Sequence, residues 1–538
     1  MNFQNTNIIL MTLLKKKTIS PNKLPFLQSQ VLQKIYIDLS KNNQSDLKEI
    51  AQLTDYKKDS KILNDAISAL VVKEFLSGNL IDGFSVPDHR IELYNSVVNK
   101  NDYKHKTYSK NILSFQYVNK VNGYSRNLFE TIKSISDFNR EGVCHRWYDY
   151  LEDFPYQLIE DKFIEYNITE NALVVEPFAG SGTTNVTSKM FNVNSIGFDA
   201  NPLMCFISKV KTSWDINIAV FKSEVLKVAN EFLNKIHDFD KLNIDRDFLD
   251  KMPKKEINQW LSLGLQKEVV LLKNIIKSVE NEKIKDLLLL AMSRSALDAS
   301  FVSFCPGTTF YPFREKEDFW NLFTNKVVDM YLDLQKINTV SSNFTATQII
   351  NDSCLNAGKY IQNGSVDFLI TSPPYPNDLE YTRQTRLEMY MLDFVKNMDD
   401  VQKIKRTMVK GSTKLIYKES DSEKYIKKFD SVIKVSAEIY EQTKDKNWGF
   451  DYPRMVKEYF GDMFLCLKEF YPLMKKGAHY LLVVGDQTIK GVYIPVCDIL
   501  IEMGYDIGYS KCSKELFRNR RSTGHDTILP EEIVILEK

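Results

Sequence analysis

The sequence is short of several things that would have settled its class at once. Its seven cysteines are scattered and include no CxxC pair, and its six histidines form no HxxxH pattern. A disulfide framework and a zinc site are therefore excluded as expectations, and a reducing cytoplasm suits the composition. No charge of one sign dominates: the net charge is +1, so any surface for nucleic acid must be local. No apolar run reaches the length of a membrane span, which argues against a membrane partner. The opening MNFQNTNIILMTLLKKK has an apolar patch but no basic segment before it, and reads as a frayed start rather than a signal peptide. There is no internal repeat and no low-complexity tract. What remains is an ordinary soluble composition, 43% hydrophobic and 26% charged, over 538 residues, enough for more than one domain.

The patterning divides the chain into four regions. Residues 1–108 read as a small helical domain. Leu47, Ile50 and Leu53, then Ile62, Ala66 and Leu70, recur at helical spacing, and SGNLIDGFSVPDHRIELY comes next as a hairpin. Three helices and a hairpin is the order of a winged helix, a DNA-binding or docking module; a plain helical cap is the other reading. KNDYKHKTYSK (100–110) makes a polar linker. Residues 109–210 and 346–538 carry seven expected strands, at 172–180, 194–202, 346–353, 366–375, 479–486, 505–513 and 531–538. Amphipathic helices separate most of them, which predicts an α/β sheet. Residues 211–345 between these halves read as a helical insertion.

Two stretches carry chemistry. In VVEPFAGSGTTNVTSKMF (174–191) a strand ends on Glu176, a glycine turn comes after it and a helix starts. Gly180 and Gly182 let the backbone approach a ligand, and the amides opening the helix can hold polar groups. Asp199 ends the next strand, where a carboxylate accepts the hydroxyls of a ribose. A glycine turn alone is a weak signal, but strand, GxG, helix, strand and acid in this order predict a nucleoside cofactor.

The second stretch is FLITSPPYPNDLEY (368–381). Prolines cannot continue a central strand. Ser372, Pro373, Pro374 and Tyr375 therefore predict a stiff loop that presents a hydroxyl, a carbonyl and a flat ring. A planar heterocycle with an exocyclic amino group fits such a platform; an ordinary proline-terminated turn is the bland alternative.

These stretches resemble the motifs of the S-adenosylmethionine-dependent DNA amino-methyltransferases, which modify cytosine N4 or adenine N6. EPFAGSGTT is similar to the family's cofactor loop, with Glu176 where aspartate is more usual, followed by Pro177, Phe178, Gly180, Gly182, Thr183 and Thr184. TSPPY is similar to its catalytic loop. HRWYDYLEDFPYQLIEDKFIE resembles the segment that packs over the methionine end of the cofactor, centred on Phe154 and Pro155. NDSCLNAGKYIQNGSVDF resembles the lead into the catalytic loop, so that Asp352 is expected to meet the adenine amino group of the cofactor. The resemblance covers about 110–210 and 346–538.

It implies a Rossmann-like seven-stranded methyltransferase sheet in which both loops face one crevice. It also implies S-adenosylmethionine as cofactor, double-stranded DNA as substrate with the target base flipped out onto Tyr375, and a place in a restriction–modification or defence system, with a separate endonuclease as the partner. Serine before the prolines looks more like the cytosine-N4 branch; adenine N6 is the alternative. Carbon-5 methylation would need a Pro-Cys loop, and the order around Cys305 is reversed.

Three basic clusters are candidates for gripping DNA. Arg383 and Arg386 come just after the catalytic loop. KIKRTMVKGSTKLIYK (403–418), with Lys405, Arg406 and Lys410, has six basic residues and no acid. Arg518, Arg520 and Arg521 fall in an expected loop between the last two strands. Phosphate contact is one reading and a solvated face the other. Target recognition is expected in the helical insertion or in 383–465. Competing classes are methylation of an RNA base or a protein amide, a fused nuclease, and a regulator with an inactive methyltransferase fold. Ser372 argues against the first, the lack of a lysine near VPDHRIELY against the second, and the intact Gly180, Gly182, Asp199, Ser372 and Tyr375 against the third.

Overall fold

The computed structural model describes residues 142–538, apart from 149, 151–152, 242–245, 247, 254–256, 258–259, 304–308, 311–317, 341–344, 447–448, 450 and 522–527. Before residue 142 it describes only two short antiparallel pairings, Ser77–Asn79 with Gly83–Ser85 and Lys120–Val121 with Tyr124–Ser125. The three expected N-terminal helices, the 100–110 linker and Cys305 lie outside the described residues. The chain divides into two units at Val143 and Cys144.

The centre of the second unit, Cys144–Lys538, is a seven-stranded sheet. The strands are β1 (Leu173–Glu176), β2 (Asn194–Phe198), β3 (Thr347–Ile350), β4 (Val366–Thr371), β5 (Met474–Gly485), β6 (Lys511–Arg521) and β7 (Ile528–Glu537). Their order across the sheet is β6-β7-β5-β4-β1-β2-β3. The five from β5 to β3 are parallel, and β7 runs antiparallel to both its neighbours. The parallel strands are apolar runs because both their faces are covered. Val175, Leu369, Tyr480, Leu482 and Val484 enter one core with the long helix near the C-terminus. Val174, Phe368, Ile370, Leu481 and Val483 enter the other, with Leu158, Ile159 and Phe163.

The helices of eight residues or more among the described residues are α1 (Tyr156–Glu165), α2 (Thr183–Met190), α3 (Pro202–Lys211), α4 (Ile218–Lys235), α5 (Leu263–Lys277), α6 (Glu282–Ala299), α7 (Phe319–Val340), α8 (Tyr381–Met391), α9 (Met398–Thr407), α10 (Asp430–Thr443), α11 (Tyr452–Leu473) and α12 (Val496–Ile507). No helix among the described residues is long and apolar enough to cross a membrane. Helices α3 to α7 lie between β2 and β3, α4 to α7 within the expected insertion. They are tied to the sheet unit by buried polar contacts. Asp333 on α7 is fully buried and accepts from the Cys144 amide (3.0 Å), the Arg146 guanidinium (2.7 and 3.1 Å) and the Trp147 indole (2.8 Å). Asp333→Ala would take the acceptor from the Cys144 amide, the Trp147 indole and the short side of the Arg146 pairing, which keeps Asp329 at 3.7 Å, so it is expected to cost about 3–5 kcal/mol, read as a lower denaturation midpoint.

The last part of the sheet departs from the sequence expectation. The sequence predicts a strand at 505–513, but Tyr505–Ile507 close α12. Val496, Ile499, Leu500 and Met503 are buried at helical spacing, and Gly508 (φ 112°) ends the helix in the left-handed region. The strand starts at Lys511 and pairs with β7 as far as Arg521 opposite Ile528. Arg518, Arg520 and Arg521 therefore stand on β6 rather than in a loop, because this pairing continues through them. Strand β5 also begins earlier than expected, at Met474.

Candidate functional site

Strand order reverses between β1 and β4, which are hydrogen-bonded neighbours (Phe368 opposite Val174). The β1 connection leads to one side of the sheet and the β4 connection to the other, so a crevice opens beyond their carboxyl ends. Glu176, Pro177, Phe178, Gly180, Thr183, Thr184, Asp199, Ser372, Pro373, Pro374 and Tyr375 all line one cavity there. Two loops nearly 200 residues apart in sequence thus meet.

The β1–α2 loop is held from below and from the side. Glu176 is buried and accepts from the Phe178 amide (3.1 Å) and the Thr184 hydroxyl (2.6 Å). Burial pushes its carboxyl up to about 8, against these hydrogen bonds. Asp199 accepts from the Gly180 amide (2.9 Å) and the Asn201 amide (2.7 Å), one on each oxygen. Its carboxyl is pushed up to about 6 by burial. Gly182 starts α2 at φ 86°, and a β-carbon there would lie 2.8 Å from the Ser208 hydroxyl, so glycine is required twice over.

Other expected cofactor residues divide. Phe154 lines the cavity. Pro155 caps α1. Gly182 shapes the turn, and neither it nor Pro155 reaches the cavity wall. Asp352 turns to Asn356 (2.8 Å), Tyr360 (2.9 Å) and its neighbouring amide (2.7 Å). Slight burial works against it, but these hydrogen bonds hold its carboxyl below the usual range. Ser353 and Cys354, rather than Asp352, reach the wall.

The catalytic-loop candidate is braced from several elements. The Tyr375 hydroxyl donates to Glu531 (3.0 Å) or to the Val483 carbonyl (3.2 Å), and the Ser372 hydroxyl stands 3.5 Å from it. Burial pushes the tyrosine hydroxyl well up from its ordinary value. Behind the loop lies the 403–418 segment. A β-carbon on Gly411 would come within 2.5 Å of the Tyr375 carbonyl oxygen. Asp378 (φ 63°) accepts from Ser412, Thr413 and the Tyr452 hydroxyl, which locks the turn after the prolines onto that segment.

The basic clusters are largely spoken for by acids inside the fold. Lys405 and Arg386 pair with Glu380 (2.9 and 3.4 Å), and Lys410 pairs with the buried Asp462 (3.0 Å). Arg406 pairs with Glu419 and lies 4.2 Å from the Tyr417 ring centre. Three of these cations are thus paired with buried acids, and Arg406 with an exposed one. Arg383 is exposed on α8. Arg518 and Arg520 line the cavity.

Sequence reasoning missed three residues here. Asp153 lines the cavity, accepts from the Ser181 hydroxyl and is pushed up by burial, against the nearby Lys211. Its only signal is an acid directly before Phe154-Pro155. Glu531 and Gly411 have no local signal, because each matters through a partner distant in sequence.

Residues 15–210 match a family model described as DNA methylase, that of the N6 and N4 enzymes. The type II methyltransferase M.BsoBI of Geobacillus stearothermophilus is 24% identical over 420 residues, 71% of this chain and 82% of that protein. M.AvaI of a Nostoc species is 23% identical over 69% of this chain and 80% of its own length. M.MvaI of Kocuria varians is 25% identical over 68% and 82%. With the two loop motifs meeting at the sheet's reversal point, these matches make the chain similar to the N4/N6 DNA amino-methyltransferases.

Proposed function

We propose that this chain transfers a methyl group from S-adenosylmethionine to the N4 amino group of a cytosine flipped out of duplex DNA, as the modification half of a restriction–modification or defence system with a separate endonuclease. The observation that carries the reading is the shared cavity, with the Asp199-anchored glycine loop on one wall and Ser372–Tyr375 on the other.

The cavity's chemistry fits the cofactor at each end. The Asp199 oxygens each accept one backbone amide and retain lone pairs for ribose hydroxyls. Phe178, Met204 and Cys354 give apolar surface for a purine, and Asp153 offers a carboxylate to an ammonium. S-adenosylmethionine, when bound, supplies an electrophilic methyl group. The remaining work falls to the protein. An aryl amine is a weak nucleophile because its lone pair is delocalised into the ring. The Ser372 hydroxyl and the Pro373 carbonyl accept its hydrogens, draw them from the ring plane and localise that lone pair. The prolines keep both acceptors in place before the base arrives, so little reorganisation is needed. Tyr375 supports the ring of the extruded base. Arg518 on the cavity wall, with more than half of its side chain exposed, meets a phosphate beside it. Serine rather than aspartate or asparagine before the prolines favours cytosine over adenine.

Purified chain incubated with methyl-labelled S-adenosylmethionine tests the substrate class. Label is expected in unmethylated double-stranded DNA; label in RNA or protein instead would overturn the reading.

A further inference from the structure

Glu531 stands on β7 between two strands, opposite Gly485 of β5 and Arg518 of β6. It is 3% exposed. A carboxylate in such a place is costly unless it is paired. Three groups meet it: the Tyr375 hydroxyl at 3.0 Å, the Arg518 guanidinium, and Arg520 at 3.5 Å. The arrangement is built by the backbone around it. Register slips between Leu516 and Arg518, a bulge that re-aims the side chains after it. Phe517, Arg518 and Arg520 all reach the cavity as a result. Gly485 makes room for Arg520, since a β-carbon there would overlap its guanidinium. Arg520 then lies 5.3 Å from the Tyr375 ring centre, with a bond of 3.3 Å to the Asp486 carbonyl.

We propose that Glu531 is a positioning residue for methyl transfer: it holds the Tyr375 hydroxyl and the Arg520 guanidinium together, and so fixes the plane of the ring that receives the flipped base. The inference rests on the function proposed above. A phenol has one proton to give, and a carboxylate is a stronger acceptor than the Val483 carbonyl. The ring is therefore tied chiefly to the last strand. Without that tie it can rotate about its side-chain bonds, and the base loses its support at the moment the amine must be aligned. A small misplacement of this kind costs rate without costing cofactor affinity.

The test is a double-mutant cycle of Glu531→Ala and Tyr375→Phe, read as initial rates of methyl incorporation into unmethylated plasmid DNA. Each single change is expected to lower kcat by about tenfold to a hundredfold, with KM for S-adenosylmethionine unchanged. Glu531→Gln, which keeps an acceptor oxygen, is expected to retain more activity than Glu531→Ala. In the Tyr375→Phe background Glu531→Ala should cost little more. Additive losses, or a loss expressed in cofactor KM, would overturn the proposal.

A second readout separates this proposal from the function it rests on. In protein labelled with fluorotyrosine, the fluorine resonance that disappears in Tyr375→Phe should shift in Glu531→Ala and broaden or shift in Gly485→Ala, which displaces Arg520. If the wild-type chain methylates no DNA, the functional reading fails; if that resonance does not move in Glu531→Ala, the positioning role fails, whatever the substrate.

Discussion

Ser372→Ala and Tyr375→Ala are expected to lower the rate of methyl transfer by about a hundredfold to a thousandfold each, while S-adenosylmethionine still binds. Ser372 comes directly after β4 and lines the cavity, and in the proposed mechanism its hydroxyl is one of the two acceptors for the amino hydrogens. Removing it leaves one amino hydrogen without a partner, and the nitrogen lone pair stays in the ring. That interaction matters most as the lone pair turns toward the methyl group, so its loss falls on kcat. Tyr375→Ala removes the ring and also vacates the partners of Glu531 and Val483. Base–aromatic stacking contributes about 1–3 kcal/mol. Neither side chain bonds the Asp199 side of the cavity. Equilibrium binding of S-adenosylmethionine by calorimetry, beside single-turnover rates, checks both halves of the expectation.

Asp199→Ala is expected to do the opposite, weakening cofactor binding by about a hundredfold or more, since hydrogen bonds to a charged group contribute about 1.5–3 kcal/mol each. The carboxylate anchors the Gly180 and Asn201 amides as well, so the loop itself loosens. Its titration gives a pH signature. Burial raises its carboxyl to about 6, so in the free protein it contributes stability at low pH that is lost as pH rises through that value. The charged form is the better acceptor for ribose hydroxyls. Cofactor affinity should therefore rise between about pH 5 and pH 7 and then level off. Asp153, also raised by burial, acts in the same direction on the other end of the cavity. Asp199→Asn should remove the Asp199 part of this rise, read by calorimetric titration with S-adenosylmethionine across that range.

The parts of the molecule legible in the sequence are those punctuated locally. Apolar runs that end in glycine or proline mark β1 and β4, and the acid closing the next run marks Asp199. The order of these signals is enough to bring two distant loops to one crevice. Helix α12 and strand β6 are harder to place, because Tyr505–Ile507 carry both β-branched and helical signals. Only the burial of Val496, Ile499, Leu500 and Met503 decides for the helix. The basic stretch at 403–418 looks like a phosphate grip because most of its counter-charges are far along the chain. Glu380 and Asp462 become its neighbours in the fold. Glu531 and Asp153 are illegible for the same reason. An acid on an edge-proximal strand reads as solvated until a bulge brings two arginines and a tyrosine to it.

The central claim is that Ser372–Tyr375 directs methylation to the amino group of a DNA base. Mass spectrometry of nucleosides tests it most directly, using DNA from a methylation-free host that expresses the wild-type chain or the Ser372→Ala variant. The account predicts new N4-methylcytosine with the wild type and almost none with the variant. N6-methyladenine in the same pattern would keep the mechanism and change the base. DNA with no methylated amino group, from cells holding folded protein that binds S-adenosylmethionine, would contradict the account.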